Sequence, residues 1–176
     1  MTIMRLTRIA LIAGSLSLTP SLAFSAETAT ASLAGSDGKP AGTAQITEAP
    51  RGVLLHIEVS GLTPGWHGMH FHEKGDCSDP AFTKAGSHVH KTTPVTHGLL
   101  NAKENDSGDL PNIFAGADGK ASAEVYSPFV SLTGKDGRPA LLDADGSSLV
   151  VHAFSDDYKS QPIGGSGSRV ICGVIR

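Results

Sequence analysis

Val53-Leu54-Leu55-His56-Ile57-Glu58-Val59 is a short apolar run interrupted only by His56 and Glu58. Its length and its branched aliphatic content read as a β-strand rather than a helix. Comparable runs recur along the chain. Ala121 to Tyr126 alternates small or apolar residues with polar ones, Leu149 to Phe154 is mostly apolar, and Val170 to Ile175 repeats the pattern. Turn clusters punctuate the chain at Ser36-Asp37-Gly38-Lys39-Pro40, Ala117-Asp118-Gly119-Lys120 and Gly134-Lys135-Asp136-Gly137-Arg138-Pro139. No long window shows the 3.6-residue periodicity of an amphipathic helix. Short strands between Gly, Asp and Pro turns predict an all-β fold, an antiparallel sandwich or barrel.

Two segments break this rhythm. Residues 73–118 are polar and rich in Gly, Asp, His and Pro, with little β pattern, and residues 155–168 form a second polar stretch. Loops of such length persist in a compact domain when they are functional or tied down.

Composition sets the outer bounds. The 176 residues allow one ordinary domain, and a net charge of −3 argues against a nucleic-acid partner, which needs a clustered basic surface. Residues 1–25 read as a secretory signal peptide: Arg5 and Arg8, then the apolar run Ile9 to Leu18, Pro20, and small residues for cleavage near Ser25 or Ala26. The apolar run is too short and too interrupted to span a bilayer, so no stable membrane association is expected after cleavage. The remaining domain, 26–176, would carry 12 Lys+Arg against 17 Asp+Glu, a net charge of −5. Export also decides how Cys77 and Cys172 read. They lie far apart, outside any C-x-x-C motif, and in an oxidising compartment a single disulfide is expected.

Six of the eight histidines fall between residues 67 and 97. The densest piece is Gly65-Trp66-His67-Gly68-Met69-His70-Phe71-His72. On a strand, His70 and His72 project from one face, roughly 7 Å apart along the backbone, and can converge on one ion. His152, in Val150-Val151-His152-Ala153, and His88, in the first polar loop, offer two further imidazoles. Imidazoles without a nearby thiolate suit Cu(II) or Zn(II) rather than magnesium or calcium. His56, well upstream, reads as an ordinary structural or surface residue.

Gly-Trp-His-Gly-Met-His-Phe-His-Glu-Lys-Gly-Asp-Cys at 65–77 closely resembles the first metal-binding segment of copper,zinc superoxide dismutases of the bacterial exported type. Ala-Gly-Ser-His at 85–88 with His97, Gly-Asp-Leu-Pro at 108–111, Val-Val-His-Ala-Phe-Ser-Asp-Asp-Tyr at 150–158 and Gly-Ser-Arg-Val-Ile-Cys-Gly-Val-Ile at 167–175 extend the resemblance in collinear order. The resemblance implies an eight-stranded Greek-key barrel in a periplasmic or otherwise exported enzyme that converts superoxide to dioxygen and hydrogen peroxide. Carried over by position, it assigns copper to His70, His72, His88 and His152. It has His88 bridge to zinc, completed by His97, Asp109 and the residue three before Asp109. It places a carboxylate, Asp156, behind His70 and His97, and an anion-docking arginine at Arg169. Lys159 is a lesser contributor to the positive funnel. The Cys77–Cys172 bridge would then tie the metal-binding loop to the strand that follows Arg169.

One position departs from the family pattern, which usually has histidine where this chain has Asp106. Three readings stand open: Asp106 ligates zinc, since zinc accepts carboxylate oxygen; His90 substitutes for the missing histidine; or zinc is weak or absent. The first is the expectation. The competing functions are a copper-only dismutase with a degraded zinc site and a non-enzymatic copper-binding protein on the same barrel.

Overall fold

The computed structural model describes residues 26–176. The expected signal segment, residues 1–25, lies outside the described residues. Among the described residues the strands are β1 (Thr28–Gly35), β2 (Pro40–Ala49), β3 (Gly52–Val59), β4 (Gly65–His67), β5 (Met69–His72), β6 (Ile113–Ala115), β7 (Ala121–Ser127), β8 (Ser148–His152) and β9 (Arg169–Val174). Seven form one antiparallel sheet in the order β5-β8-β9-β1-β2-β3-β7, and β4 pairs with β6. Among the described residues, no helix is long and apolar enough to cross a membrane.

β3 shows why these residues form strands. Val53, Leu55, Ile57 and Val59 are buried while Leu54, His56 and Glu58 face outward. This is the period-two alternation of a sheet with one dry face. His56 sits outside between Glu58 and Glu124, 3.8 and 3.6 Å away, as an ordinary surface histidine.

The strand count exceeds the expected eight because Gly68 splits one strand into β4 and β5. The Gly68 N–H donates to the Phe154 carbonyl, and its own carbonyl accepts from His152. A Cβ on Gly68 would come within 2.9 Å of the Ser166 Cβ, so the close approach needs glycine. At this break the chain changes partner from β6 to β8, and the sheet closes on itself as a barrel. β6 lies inside the stretch expected to be loop. Three residues are too few to display an alternation. β1 and β2 are likewise unannounced by apolar runs, because their inward positions include Ala29, Ala31, Ala41 and Ala44.

The same alternation places the chemistry. On β5, Met69 and Phe71 point into the barrel core, so His70 and His72 project from the outer face of the wall. On β8, Leu149 and Val151 enter the core. Val150 instead packs with Phe82, Ala85 and Cys172 on the outside, and His152 shares its parity. A site on the outside of a barrel needs a roof. Residues 73–112 and 153–168 supply it, the two long stretches between β5 and β6 and between β8 and β9.

The roof is pinned by the Cys77–Cys172 disulfide, across a sequence separation of 95. Closing a loop of that length contributes about 4–5 kcal/mol in the chain-entropy account. Arg169, at the start of β9, donates to the carbonyls of Phe82 and Gly86 in the same loop. The barrel alternation has a direct check by chemical denaturation. Leu55→Ala, at a site 0% exposed, lowers the unfolding free energy by about 2–5 kcal/mol. Leu54→Ala, at a site 40% exposed, changes it by under about 1 kcal/mol.

Candidate metal centre

β5 and β8 are adjacent, with His70 opposite Val150 and His72 opposite Ser148. That pairing brings His70, His72 and His152 onto one patch of the outer wall, and the loop drops His88 onto it through a bridge between His72 and His88. The four residues are all buried, and one donor atom from each lies within 4.8 Å of the others. His70 and His88 stack with ring centroids 4.0 Å apart.

Four ring nitrogens here have no hydrogen-bond partner: His70 Nδ1, His72 Nε2, His88 Nε2 and His152 Nε2. In each case the opposite nitrogen is occupied. His70 Nε2 donates to Asp156 Oδ2 at 2.9 Å, His72 Nδ1 to the Gly86 carbonyl at 3.0 Å, and His152 Nδ1 to the Gly167 carbonyl at 3.1 Å. Carboxylates and carbonyls only accept, so these contacts place the proton on the outer nitrogen and leave the inner one as a lone pair. Burial, then the neighbouring imidazoles, lowers His70 to about 4 and His152 to about 3, and burial holds His72 well below the usual histidine range. Three neutral imidazoles at ordinary pH are what a borderline metal requires.

His88 connects this set to a second. Its Nδ1 lies 2.7 Å from Asp106 Oδ2 and 3.4 Å from Asp109 Oδ1. His97 Nδ1 lies 3.4 Å from Asp106 Oδ2 and 2.7 Å from Asp109 Oδ1. A tetrahedral ion with bonds of about 2.0–2.1 Å holds its donors roughly 3.3 Å apart. Asp109 Oδ1 has no hydrogen bond in spite of its proximity to His97, the signature of atoms aimed at a common centre. A grouping of His88, His97 and Asp109 with His70 also falls within 4.8 Å. That grouping does not include Asp106, whose Oδ2 lies beside the Nδ1 atoms of His88 and His97.

The protonation logic of this second set is opposite. Burial pulls His97 down, but Asp106, Asp109 and Asp156 overcome it and hold it up at about 11. His88 is raised for the same reason, by Asp106 and Asp109 against burial. Asp106 and Asp156 are both held well below the usual carboxylate range: burial opposes this, and hydrogen bonds from the histidines prevail.

Asp156 joins the two sets. Its Oδ2 accepts from His70 and its Oδ1 from His97 Nε2 at 3.1 Å. Sequence reasoning missed what holds it. Asn112 Oδ1 accepts from the Asp156 N–H and Asn112 Nδ2 donates to the Asp156 carbonyl, both at 2.9 Å. The Tyr158 N–H donates to Oδ1 at 2.6 Å. Gly164, at φ +59°, lies so close that a Cβ there would fall 1.7 Å from Asp156 Oδ1. No spacing in the chain announces the Asn112 contacts, because Asn112 lies in the other loop, 44 residues from Asp156.

The remaining residues are placed apart. His90 Nδ1 donates to the His88 carbonyl at 2.8 Å and its ring turns toward Glu73, so it is not brought into the second set. His67 is buried, with both ring nitrogens on carbonyls, those of His152 at 2.8 Å and Thr63 at 2.7 Å. Arg169 is half-buried beside the first set, because the Gly86 carbonyl that it reaches at 2.7 Å also accepts from His72. Lys159 is exposed on the outer loop.

Residues 40–175 match the family described as copper/zinc superoxide dismutase. A copper–zinc superoxide dismutase of Caulobacter vibrioides is 67% identical over 148 residues, covering 84% of this chain and 85% of that protein. One from Aquifex aeolicus is 40% identical over 167 residues, covering 94% of this chain and 96% of its own. Among solved structures, the Cu/Zn superoxide dismutase of Brucella abortus superposes with a TM-score of 0.68 at 34% identity, over 85% of this chain and all (100%) of that one. A superoxide-dismutase-like protein from Bacillus subtilis gives a TM-score of 0.74 at 36% identity, over 82% and 96%. With the barrel, the paired histidine sets and the bridging carboxylate already in place, the chain belongs to the copper/zinc superoxide dismutase family.

Proposed function

We propose that the chain dismutates superoxide with copper on His70, His72, His88 and His152 and zinc on His88, His97, Asp106 and Asp109. The observation that carries this reading is the convergence of four buried, unpartnered ring nitrogens beside a second set of two imidazoles and two carboxylates. Leaving that many buried lone pairs unsatisfied costs about 1–3 kcal/mol each unless something binds them. Copper supplies the one-electron chemistry that turns two superoxide anions and two protons into dioxygen and hydrogen peroxide, which redox-inert zinc cannot.

The chain's own residues do the rest. His88 faces both sets, Nε2 toward the first and Nδ1 toward Asp106 and Asp109. Nε2 would ligate copper, and whenever it did not it would hold a proton there for the reduced oxygen species. Asp156 holds the His70 and His97 rings in the required orientation. The chain's net charge of −3 opposes approach of an anion, so attraction has to be local. Arg169 spends two of its five N–H groups on the Phe82 and Gly86 carbonyls and keeps the others for the anion. The guanidinium stays charged at any working pH. Export to the periplasm fits the intact disulfide, which persists in oxidising compartments.

Reloading the metal-free protein with copper tests the reading: superoxide decay should accelerate catalytically, and absence of turnover with copper bound would overturn it. Arg169→Gln should lower kcat/KM roughly tenfold and flatten its dependence on ionic strength. Arg169→Lys, which keeps the charge, should lose less. Stopped-flow superoxide decay across a salt series reads both. Zinc uptake has its own signature. At pH 7, below the raised value of about 11, His97 carries a proton that zinc must displace. Titration calorimetry in buffers of different ionisation heat should show at least one proton released per zinc, with affinity falling as pH falls.

A further inference from the structure

Two side-chain amides cross between the loops that cover the centre, and they run in opposite directions. Asn112, at the end of the first loop, grips the backbone of Asp156 in the second. Gln161, in the second loop, grips the backbone of His97 in the first. Its Oε1 accepts from the His97 N–H at 2.9 Å, and its Nε2 donates to the His97 carbonyl at 2.8 Å. Each amide thus holds the N–H and the carbonyl of a single residue, as the partner in an antiparallel strand pair would. The two residues held in this way are the two ends of one contact, His97 Nε2 donating to Asp156 Oδ1.

The grip of Gln161 reaches further than His97. The His97 carbonyl and the Gly98 N–H belong to one planar peptide group. That N–H donates to Asp109 Oδ2 at 2.7 Å, so a hydrogen-bonded line runs from Gln161 Nε2 through the peptide to Asp109. The other oxygen of Asp109, Oδ1, lies 2.7 Å from His97 Nδ1. An imidazole and a carboxylate of the outer set are therefore both referred to one amide. Asn101 Nδ2 reaches the same carbonyl only at 3.4 Å. Gly98, at φ +116°, lets the second loop come this close, since a Cβ there would collide with the Tyr158 carbonyl. We infer that Gln161 is a positioning residue for zinc: by fixing the His97–Gly98 peptide it sets His97 Nδ1 against Asp109 Oδ1. The inference rests on the reading of His97 and Asp109 as zinc donors. It adds that a residue of the second loop, which lends no donor to the outer site, governs how tightly that site binds.

The test uses the full disulfide-bonded protein, stripped of metal and reloaded, in three forms: unmodified, Gln161→Met and Ser160→Ala. Gln161 is exposed at the loop surface, so methionine keeps the side-chain length and removes the amide without disturbing the core. Ser160 is the control for a loosened loop, because its hydroxyl donates to Asp157 within the second loop rather than to His97. Competition against a chelator of known affinity gives the zinc affinity of the outer site and the copper affinity of the inner one. Gln161→Met should weaken zinc roughly tenfold and leave copper within about twofold, and Ser160→Ala should change neither. Co(II) placed in the outer site reports the donor arrangement through its visible absorption bands, which should shift in Gln161→Met alone. Unchanged zinc affinity or unchanged cobalt bands in Gln161→Met would overturn the positioning role. So would an equal weakening of copper and zinc, or an equal zinc loss in Ser160→Ala, since either makes Gln161 a mere fastener of the loop. Failure of the unmodified protein to take up zinc or cobalt would instead overturn the reading of His97 and Asp109 as zinc donors, and the positioning role with it.

Discussion

The carboxylate of Asp156 is the contact on which the centre depends. It is 3% exposed, and it is the group that holds a histidine of each donor set. By accepting from His70 Nε2 and His97 Nε2 it fixes both ring orientations at once, and it leaves His70 Nδ1 as a lone pair. A carboxylate buried this deeply is costly unless it is fully hydrogen-bonded. Here the hydrogen bonds come from two imidazoles and the Tyr158 amide, while Asn112 grips the backbone on both sides of Asp156. Gly164 leaves room for the carboxylate where any side chain would collide.

The location of the centre follows from the same economy of burial. Placed inside the barrel, the histidines would compete for space with Phe71, Leu149 and Met69, which fill the core. Placed on the outer wall without cover, they would be solvated and their neutral forms less favoured. The chain instead sets them on the outer face of β5 and β8 and lays two long loops over them. Those loops have little hydrophobic content of their own, so they are held by specific contacts. The Cys77–Cys172 bridge and the Arg169 hydrogen bonds to Phe82 and Gly86 fasten the first loop to β9. The Gly86 carbonyl then serves two groups, accepting from Arg169 and from His72. Fastening the loop, orienting His72 and positioning the Arg169 guanidinium are therefore parts of one small network.

Much of this was legible in the chain before any coordinates. The alternation in Val53 to Val59, the spacing of His70 and His72, and the apolar strand carrying His152 all express local rules of side-chain direction. The collinear motifs located Asp109, Asp156, Arg169 and the cysteines. What escaped notice was non-periodic or too short. β1 and β2 bury alanines, which look neutral in sequence, and β6 is a three-residue strand whose only cue is its partner, β4. The open question at Asp106 was also beyond the sequence. The loop path leaves Asp106 beside His88 and His97 and turns His90 toward Glu73.

By itself the sequence determined the strand character, the face shared by His70 and His72, the excess of acidic charge and the supply of imidazoles. All of these depend on residue type and near-neighbour spacing, which a linear chain displays directly. Only the tertiary structure decided which nitrogens stay free, that Asp106 and Asp109 face the same pair of histidines, and that Asn112 and Gly164 support Asp156. Those outcomes are distances between residues that the loops bring together from well apart in the chain. A hydrogen bond works only within a few tenths of an ångström of its optimum. Spacing along the chain does not set separations that fine; the closed barrel and its pinned loops do.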